Sequence, residues 1–164
     1  MNIKILLIIL FSILISSDQI PSDNQDHPIL IKNGTIYTVS DGIKNNTDIL
    51  FKNGKIIKIG KNLSYLEDTE IIDANGKYIF PGLISASTVL GLQEIGAVRA
   101  TRDYSEVGEF NPNVRANVSY NPDSELIPVS RSNGVLLALS IPRSGLISGQ
   151  SSLMMLDGWT WEDA

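Results

Sequence analysis

Pro81-Gly82 constrains the fold of this chain more than any other pair of residues. An apolar run (Tyr78, Ile79, Phe80) ends at the pair, and a second one (Leu83, Ile84) begins immediately after it. Proline has no N–H for a sheet ladder, and glycine accepts backbone angles that other residues avoid. The pair therefore marks a bend at which the chain leaves one small sheet and enters another. The pattern also changes there, from short β runs before it to an α/β alternation after it.

Before the bend, apolar runs fall at 29–31, 35–39, 49–52, 55–59, 70–73 and 77–80. Asn33-Gly34, Asn53-Gly54 and Asn75-Gly76 separate or bound them. Asn-Gly favours the positive φ angles of two-residue hairpins, so the spacing predicts stacked short hairpins over residues 28–80. Residues 41–42 and 45–47 read as a polar loop, and 61–69 as another. A unit this small is marginal alone and needs a neighbour over its apolar face.

After the bend, 83–87 reads as a buried parallel strand. Residues 99–113 carry no period and read as a long loop. Asn121-Pro122-Asp123-Ser124 opens a helix that starts at Ser124, tolerates Pro128 in its first turn and ends at Gly134. Residues 135–141 form a second strand, so strand, helix and strand make one step of a parallel sheet. Residues 153–156 read as a third strand, and Trp159 and Trp161 as buried packing.

The N-terminus has the order of a secretory signal. Lys4 precedes an apolar run over 5–15, and Ser16-Ser17 suit cleavage. The run is too short to span a bilayer, which needs about 20 apolar residues. The expectation is a signal over 1–17, a disordered leader over 18–27, and a periplasmic or secreted protein with no membrane anchor after cleavage.

Composition narrows the chemistry. There is no cysteine, and the single histidine, His27, lies in a polar run and reads as a solvated linker residue. Disulfides, thiolate sites and a multi-histidine zinc site are all excluded for this chain. A formal net charge of −5 argues against nucleic acid as a partner. In parallel sheets, functional groups gather at the C-terminal ends of the strands. Arg143, Ser148 and Ser151, in the Gly/Ser-rich stretch after the second strand, are the ligand-contact candidates. That stretch also suits a plain structural turn, and it matches neither a P-loop nor a nucleophile elbow. Asp103, Glu106 and Glu109 have no acid–base spacing and read as a solvated face.

The sequence PGLISASTV at 81–89, and the stretches 91–116 and 120–159, resemble an exported bacterial branch of the amidohydrolase superfamily. The superfamily's junction reads PGLIDAHTH. Pro81, Gly82, Leu83, Ile84, Ala86 and Thr88 match it, Ser85 replaces the aspartate, and Ser87 and Val89 replace the two metal-binding histidines. The resemblance implies a small β-sandwich (the composite domain shared with urease α chains) over 28–80. It also implies the first strands of a truncated (β/α)8 barrel over 81–164, an α/β fold with an all-β N-terminal part. The implied activity is hydrolysis of carbon–nitrogen bonds other than peptide bonds in a small-molecule substrate. The alternative is a non-catalytic binding or structural protein on the same fold.

Only 82 residues (164 − 82) follow Gly82, against about 250 for a whole barrel. The rest of the barrel is therefore expected in cis, with the later metal ligands on it. This chain alone is expected to be inactive and to hold no metal or other cofactor, whereas a full-length relative would use a divalent ion such as zinc.

Overall fold

The computed structural model describes residues 20–164. The expected signal over 1–17 lies outside the described residues. The chain divides into two compact units, Asp23–Pro81 and Gly82–Ala164, with residues 20–22 belonging to the second.

The first unit is a five-stranded sheet of β1 (Ile29–Tyr37), β2 (Ile43–Lys52), β3 (Lys55–Gly60), β4 (Glu70–Asp73) and β5 (Tyr78–Ile79). The spatial order is β3-β2-β1-β4, and β5 pairs with β1 beyond β4. Of the three Asn-Gly pairs, only Asn53-Gly54 makes the expected hairpin, closing β2 onto β3 between Lys52 and Lys55. Asn33-Gly34 instead lies inside β1 and joins the runs 29–31 and 35–39 into one strand. Asn33 has φ 62° there, and the register against β2 shifts on both sides of Gly34.

The cause is tertiary. The carboxylate of Asp48, 2 % exposed, accepts the backbone N–H groups of Asn33 and Leu63, each at 3.0 Å. Gly34 lies against Ile79, where any Cβ would overlap the isoleucine side chain. Asn75-Gly76 turns the chain between β4 and β5, which both run parallel to β1, so it closes no hairpin. Residues 45–47, expected in a loop, belong to β2.

Residues 20–27, within the expected leader, contain no helix or strand, yet 25 and 27 are held by specific contacts. Gln25 accepts the Gly54 N–H at 2.7 Å and donates to the His27 carbonyl at 2.9 Å. His27 contacts Asp26 and, at 3.1 Å, Glu70 on β4, so it is a bridge and not a solvated linker residue. These carboxylates favour the imidazolium, Glu70 most, and raise its pKa above the ordinary 6.5. The sign follows from linkage: this contribution is complete below 6.5 and fades as pH rises through the folded value. Asp26, held below its ordinary 3.8 chiefly by the His27 hydrogen bond, loses its share at the acid end. The Tm advantage of wild type over His27→Gln is therefore expected to peak between these limits. It should shrink at alkaline pH and in high salt, because the pair is exposed. A pH-independent difference would count against the bridge.

The second unit holds β6 (Leu83–Thr88), β7 (Val135–Ser140), β8 (Ser152–Met155) and one helix, α1 (Leu126–Ser132). β6 and β7 are parallel, as expected from the strand–helix–strand pattern. β8 is antiparallel to β7 and so is not a further parallel strand of the step. The helix starts two residues later than expected, at Leu126, and the Ser124 hydroxyl accepts the Leu126 N–H at 3.4 Å. Gly134, at φ 83°, follows it as the left-handed cap.

The crossover from β6 to α1 is mostly irregular but pinned. The backbones of Gln93 and Arg102 pair, as do Phe110 with Ile147 and Arg115 with Gln150. Two 3-10 turns, Arg99–Thr101 and Ala116–Ser119, punctuate it. Its apolar residues Leu92, Ala116 and Tyr120 close a core with Ile127, Ala138, Met154 and Leu156. Fully burying one of the large aliphatic side chains contributes about 1.5–3 kcal/mol. Trp159 and Trp161 are 60 % and 38 % exposed, so the expectation of buried packing fails for both.

The Tyr120 hydroxyl is buried in that core and has no hydrogen-bond partner among the described residues, and burial raises its pKa to about 12. A buried hydroxyl that lost its water without gaining a bond is a net cost. Tyr120→Phe is therefore expected to stabilise the protein by about 1 kcal/mol. Denaturant unfolding of the two proteins measures it, and a loss of stability would reveal a partner for the hydroxyl.

Candidate functional site

The C-terminal ends of β6 and β7 lie side by side, with Thr88 and Ser140 in register. Three bonds fix the rim. Ser140 is fully buried and its hydroxyl donates to the Leu90 carbonyl at 2.8 Å. The Thr88 hydroxyl accepts the Leu90 N–H at 3.1 Å, and the Ile141 N–H donates to the Thr88 carbonyl at 2.9 Å. Together they fold residues 88–90 back against the end of β7. Sequence reasoning missed this latch, because a serine closing an apolar strand shows nothing of a partner fifty positions away.

Ser87, one of the two positions of interest on this rim, is an exposed residue of β6. Val89 turns the other way and packs against the core around Leu92. A lone hydroxyl and an alkyl group are not a ligand set for zinc, which takes imidazole, thiolate or carboxylate. Among the described residues, no group of three or more His, Cys, Asp or Glu is arranged to hold a metal ion.

The stretch after β7 is built as a turn against the crossover. The Ser148 hydroxyl donates to the Ser144 carbonyl at 2.5 Å and accepts the Ser144 N–H at 3.0 Å, so its bonding is spent within the turn. The Ser144 hydroxyl accepts the Glu106 N–H at 3.2 Å. Arg143 is exposed, and among the described residues it is tied only through its backbone N–H, which donates to the Tyr104 carbonyl at 2.6 Å. Ser151 is exposed just before β8. Arg143 and Ser151 therefore have side chains available to a ligand, and Ser148 has a structural task. Asp103, Glu106 and Glu109 are exposed, and among the described residues their carboxylates form no pair. At the far end of β8, Asp157 accepts from Arg131 at 2.6 Å and from Ser22, anchoring α1 and residue 22.

The first unit has its own cleft of about 290 Å³ between the sheet and residues 64–69, lined by Leu50, Ile57, Tyr65 and Leu66 with Lys52 and Thr69. It contains no acid, no imidazole and no metal-ligating set. A second and more open cleft of the same unit, about 630 Å³, is lined by Asp41, Lys44, Thr47 and Lys61, with no metal-ligating set either.

No family model matches the chain. Among curated proteins it is 46 % identical over 79 residues to a D-hydantoinase of Geobacillus stearothermophilus, covering 48 % of this chain and 16 % of that protein. It is 45 % identical over 56 residues to a dihydroorotase of Trichlorobacter lovleyi, covering 34 % of this chain and 13 % of the relative. Among solved structures it superposes on an amidohydrolase from Thermotoga maritima MSB8 with a TM-score of 0.77 and 31 % identity, over 82 % of this chain and 35 % of that one. The chain thus spans about a third or less of the length of each. The shared architecture is a β-sandwich domain followed by the start of a barrel. With the Pro-Gly junction, the sequence identities and this superposition in agreement, the chain belongs to the amidohydrolase superfamily.

Proposed function

We propose that this chain is the front part of an exported hydrolase acting on carbon–nitrogen bonds other than peptide bonds. The observation that carries the reading is the superposition on the Thermotoga maritima amidohydrolase over 82 % of the chain. Relatives named D-hydantoinase, dihydropyrimidinase and dihydroorotase support the same bond class. A divalent ion in such a site supplies a water made acidic enough to attack near neutral pH. Ser87 and Val89, a hydroxyl and an alkyl group, do not fit as ligands of that ion. The role of this chain is to fix the rim at Thr88 and Ser140 and to offer Arg143 and Ser151 to a small-molecule substrate. Metal ligands and the proton-transferring carboxylate belong to further strands of the same polypeptide.

The test uses the full-length protein against hydantoins, dihydropyrimidines and dihydroorotate. Hydrolysis is expected, with loss on chelation, an unchanged rate in Ser87→Ala, and a raised KM at similar kcat in Arg143→Ala. Stoichiometric metal that Ser87→Ala removes would overturn the assignment of Ser87. Export is tested by N-terminal sequencing, with a start near Asp18 expected and an uncut Met1 in the soluble fraction counting against it.

A second reading, a non-catalytic exported binding or structural protein, is favoured by one observation: the two positions that hold metal in the family carry a hydroxyl and an alkyl group. Absence of both metal and turnover in the full-length protein would select it.

A further inference from the structure

We propose that Asn75 is a site of spontaneous backbone-assisted deamidation, and that the fold singles it out from the two other Asn-Gly pairs. In this reaction the Gly76 backbone nitrogen attacks Cγ of Asn75. The new N–Cγ bond forms as the bond to the side-chain amide nitrogen breaks, and ammonia leaves with the proton. Water then opens the five-membered succinimide at either carbonyl, giving aspartate or isoaspartate. The balance is one asparagine and one water to one acid and one ammonia, with no redox partner. The step needs a mobile carboxamide, a following nitrogen that is not held in a hydrogen bond, and a residue after it without a Cβ.

Asn75-Gly76 meets all three conditions. It forms the centre of a turn closed by the Lys77 N–H to the Ala74 carbonyl at 2.9 Å. Both residues are exposed, Gly76 has φ 74°, and the space where its Cβ would sit is open. Among the described residues, neither the Asn75 carboxamide nor the Gly76 N–H has a partner. The one bond to Asn75, from its backbone N–H to Asp73 at 3.1 Å, leaves the reacting atoms free.

The other two pairs are each blocked. The Asn33 side-chain amide donates to Asp73 at 3.0 Å, and Gly34 is buried in β1 against Ile79. Asn53 lies in the tight β2–β3 turn, and its would-be nucleophile, the Gly54 N–H, is bound by Gln25 at 2.7 Å.

The product alters the sheet. Isoaspartate inserts a methylene into the main chain between β4 and β5, both of which pair with β1. It displaces Lys77, whose carbonyl accepts the Thr35 N–H at 3.0 Å, and with it Ile79, which fills the space beside Gly34. Modified molecules are therefore less stable than the parent.

The experiment ages the intact full-length protein at mildly alkaline pH and follows the three asparagines by peptide mass spectrometry, with enzymatic methylation to count isoaspartate. A parallel sample is aged in denaturant. The expected result is conversion at Asn75 severalfold faster than at Asn33 or Asn53 in the native protein, with the three rates converging in denaturant. Gln25→Ala should accelerate Asn53 and leave Asn75 unchanged. Equal native rates at the three sites, or Asn75 as the slowest, would overturn the proposal. An Asn53 rate indifferent to Gln25→Ala would remove the protection assigned to Gln25.

Discussion

Asp48→Ala is expected to unfold the N-terminal unit, leaving its sheet without a fixed register. The carboxylate is buried and accepts two backbone N–H groups, those of Asn33 and Leu63. Hydrogen bonds to a charged group contribute about 1.5–3 kcal/mol each, so losing two costs about 3–6 kcal/mol. A domain's whole margin is about 5–15 kcal/mol, and a unit this small lies at the low end. Asp48→Asn keeps one acceptor oxygen and should fall between wild type and alanine. Denaturant unfolding gives the magnitude, and amide exchange gives the mechanism, because protection should vanish first at Asn33 and Leu63. A loss below about 1 kcal/mol, the size of one ordinary hydrogen bond, would mean that water takes over both donors.

Gly91→Ala is the second large effect expected, this time in the barrel unit. Gly91 has φ 76°, and a Cβ there would run into the Tyr120 ring. Left-handed backbone costs an L-residue about 1–2 kcal/mol. Overpacking a filled core adds about 1–3 kcal/mol. Tyr120 is 4 % exposed and part of the core, so it has little room to yield. The Asn121 N–H donates to the Gly91 carbonyl at 2.7 Å, which ties the two segments together on both sides of the ring. In a Tyr120→Leu background, only the backbone share of the cost should remain. A double-mutant cycle by thermal unfolding measures that coupling. Strict additivity would show that the ring moves aside freely.

Much of the fold was legible where the determinants are local. Gly134 after a helix and the apolar run behind it led to a left-handed cap and a parallel strand, because both signals lie within a few residues of their effect. That positions 87 and 89 carry a hydroxyl and an alkyl group is a fact of the sequence itself. What failed was decided at a distance. Asn33-Gly34 carries the same positive-φ preference whether it closes a hairpin or bulges a strand, and Asp48, fifteen positions on, selects the bulge. The direction of β8 depends on which edge of β7 is free, which no run of four residues encodes. His27 looked solvated because its partner Glu70 lies forty-three positions away. At the candidate site, Arg143 and Ser151 kept free side chains while Ser148 did not, a difference set by how one turn closes on itself.

The place of β1 has a consequence for the order of folding. It pairs with β2 through a short connection, and β2 with β3 through a two-residue turn, so these contacts close small loops quickly. Its other edge waits for β4 and β5, whose partners in β1 lie far back along the chain. Closing a longer loop costs more entropy before any ladder bond repays it. A nascent chain would therefore hold a three-stranded meander with one open edge until residues 70–79 emerged. During that interval the exposed side of β1, with Ile29 and Ile31, is a template for any strand that arrives first. The speed with which Glu70–Asp73 reaches that edge sets the competition between folding and aggregation in this unit.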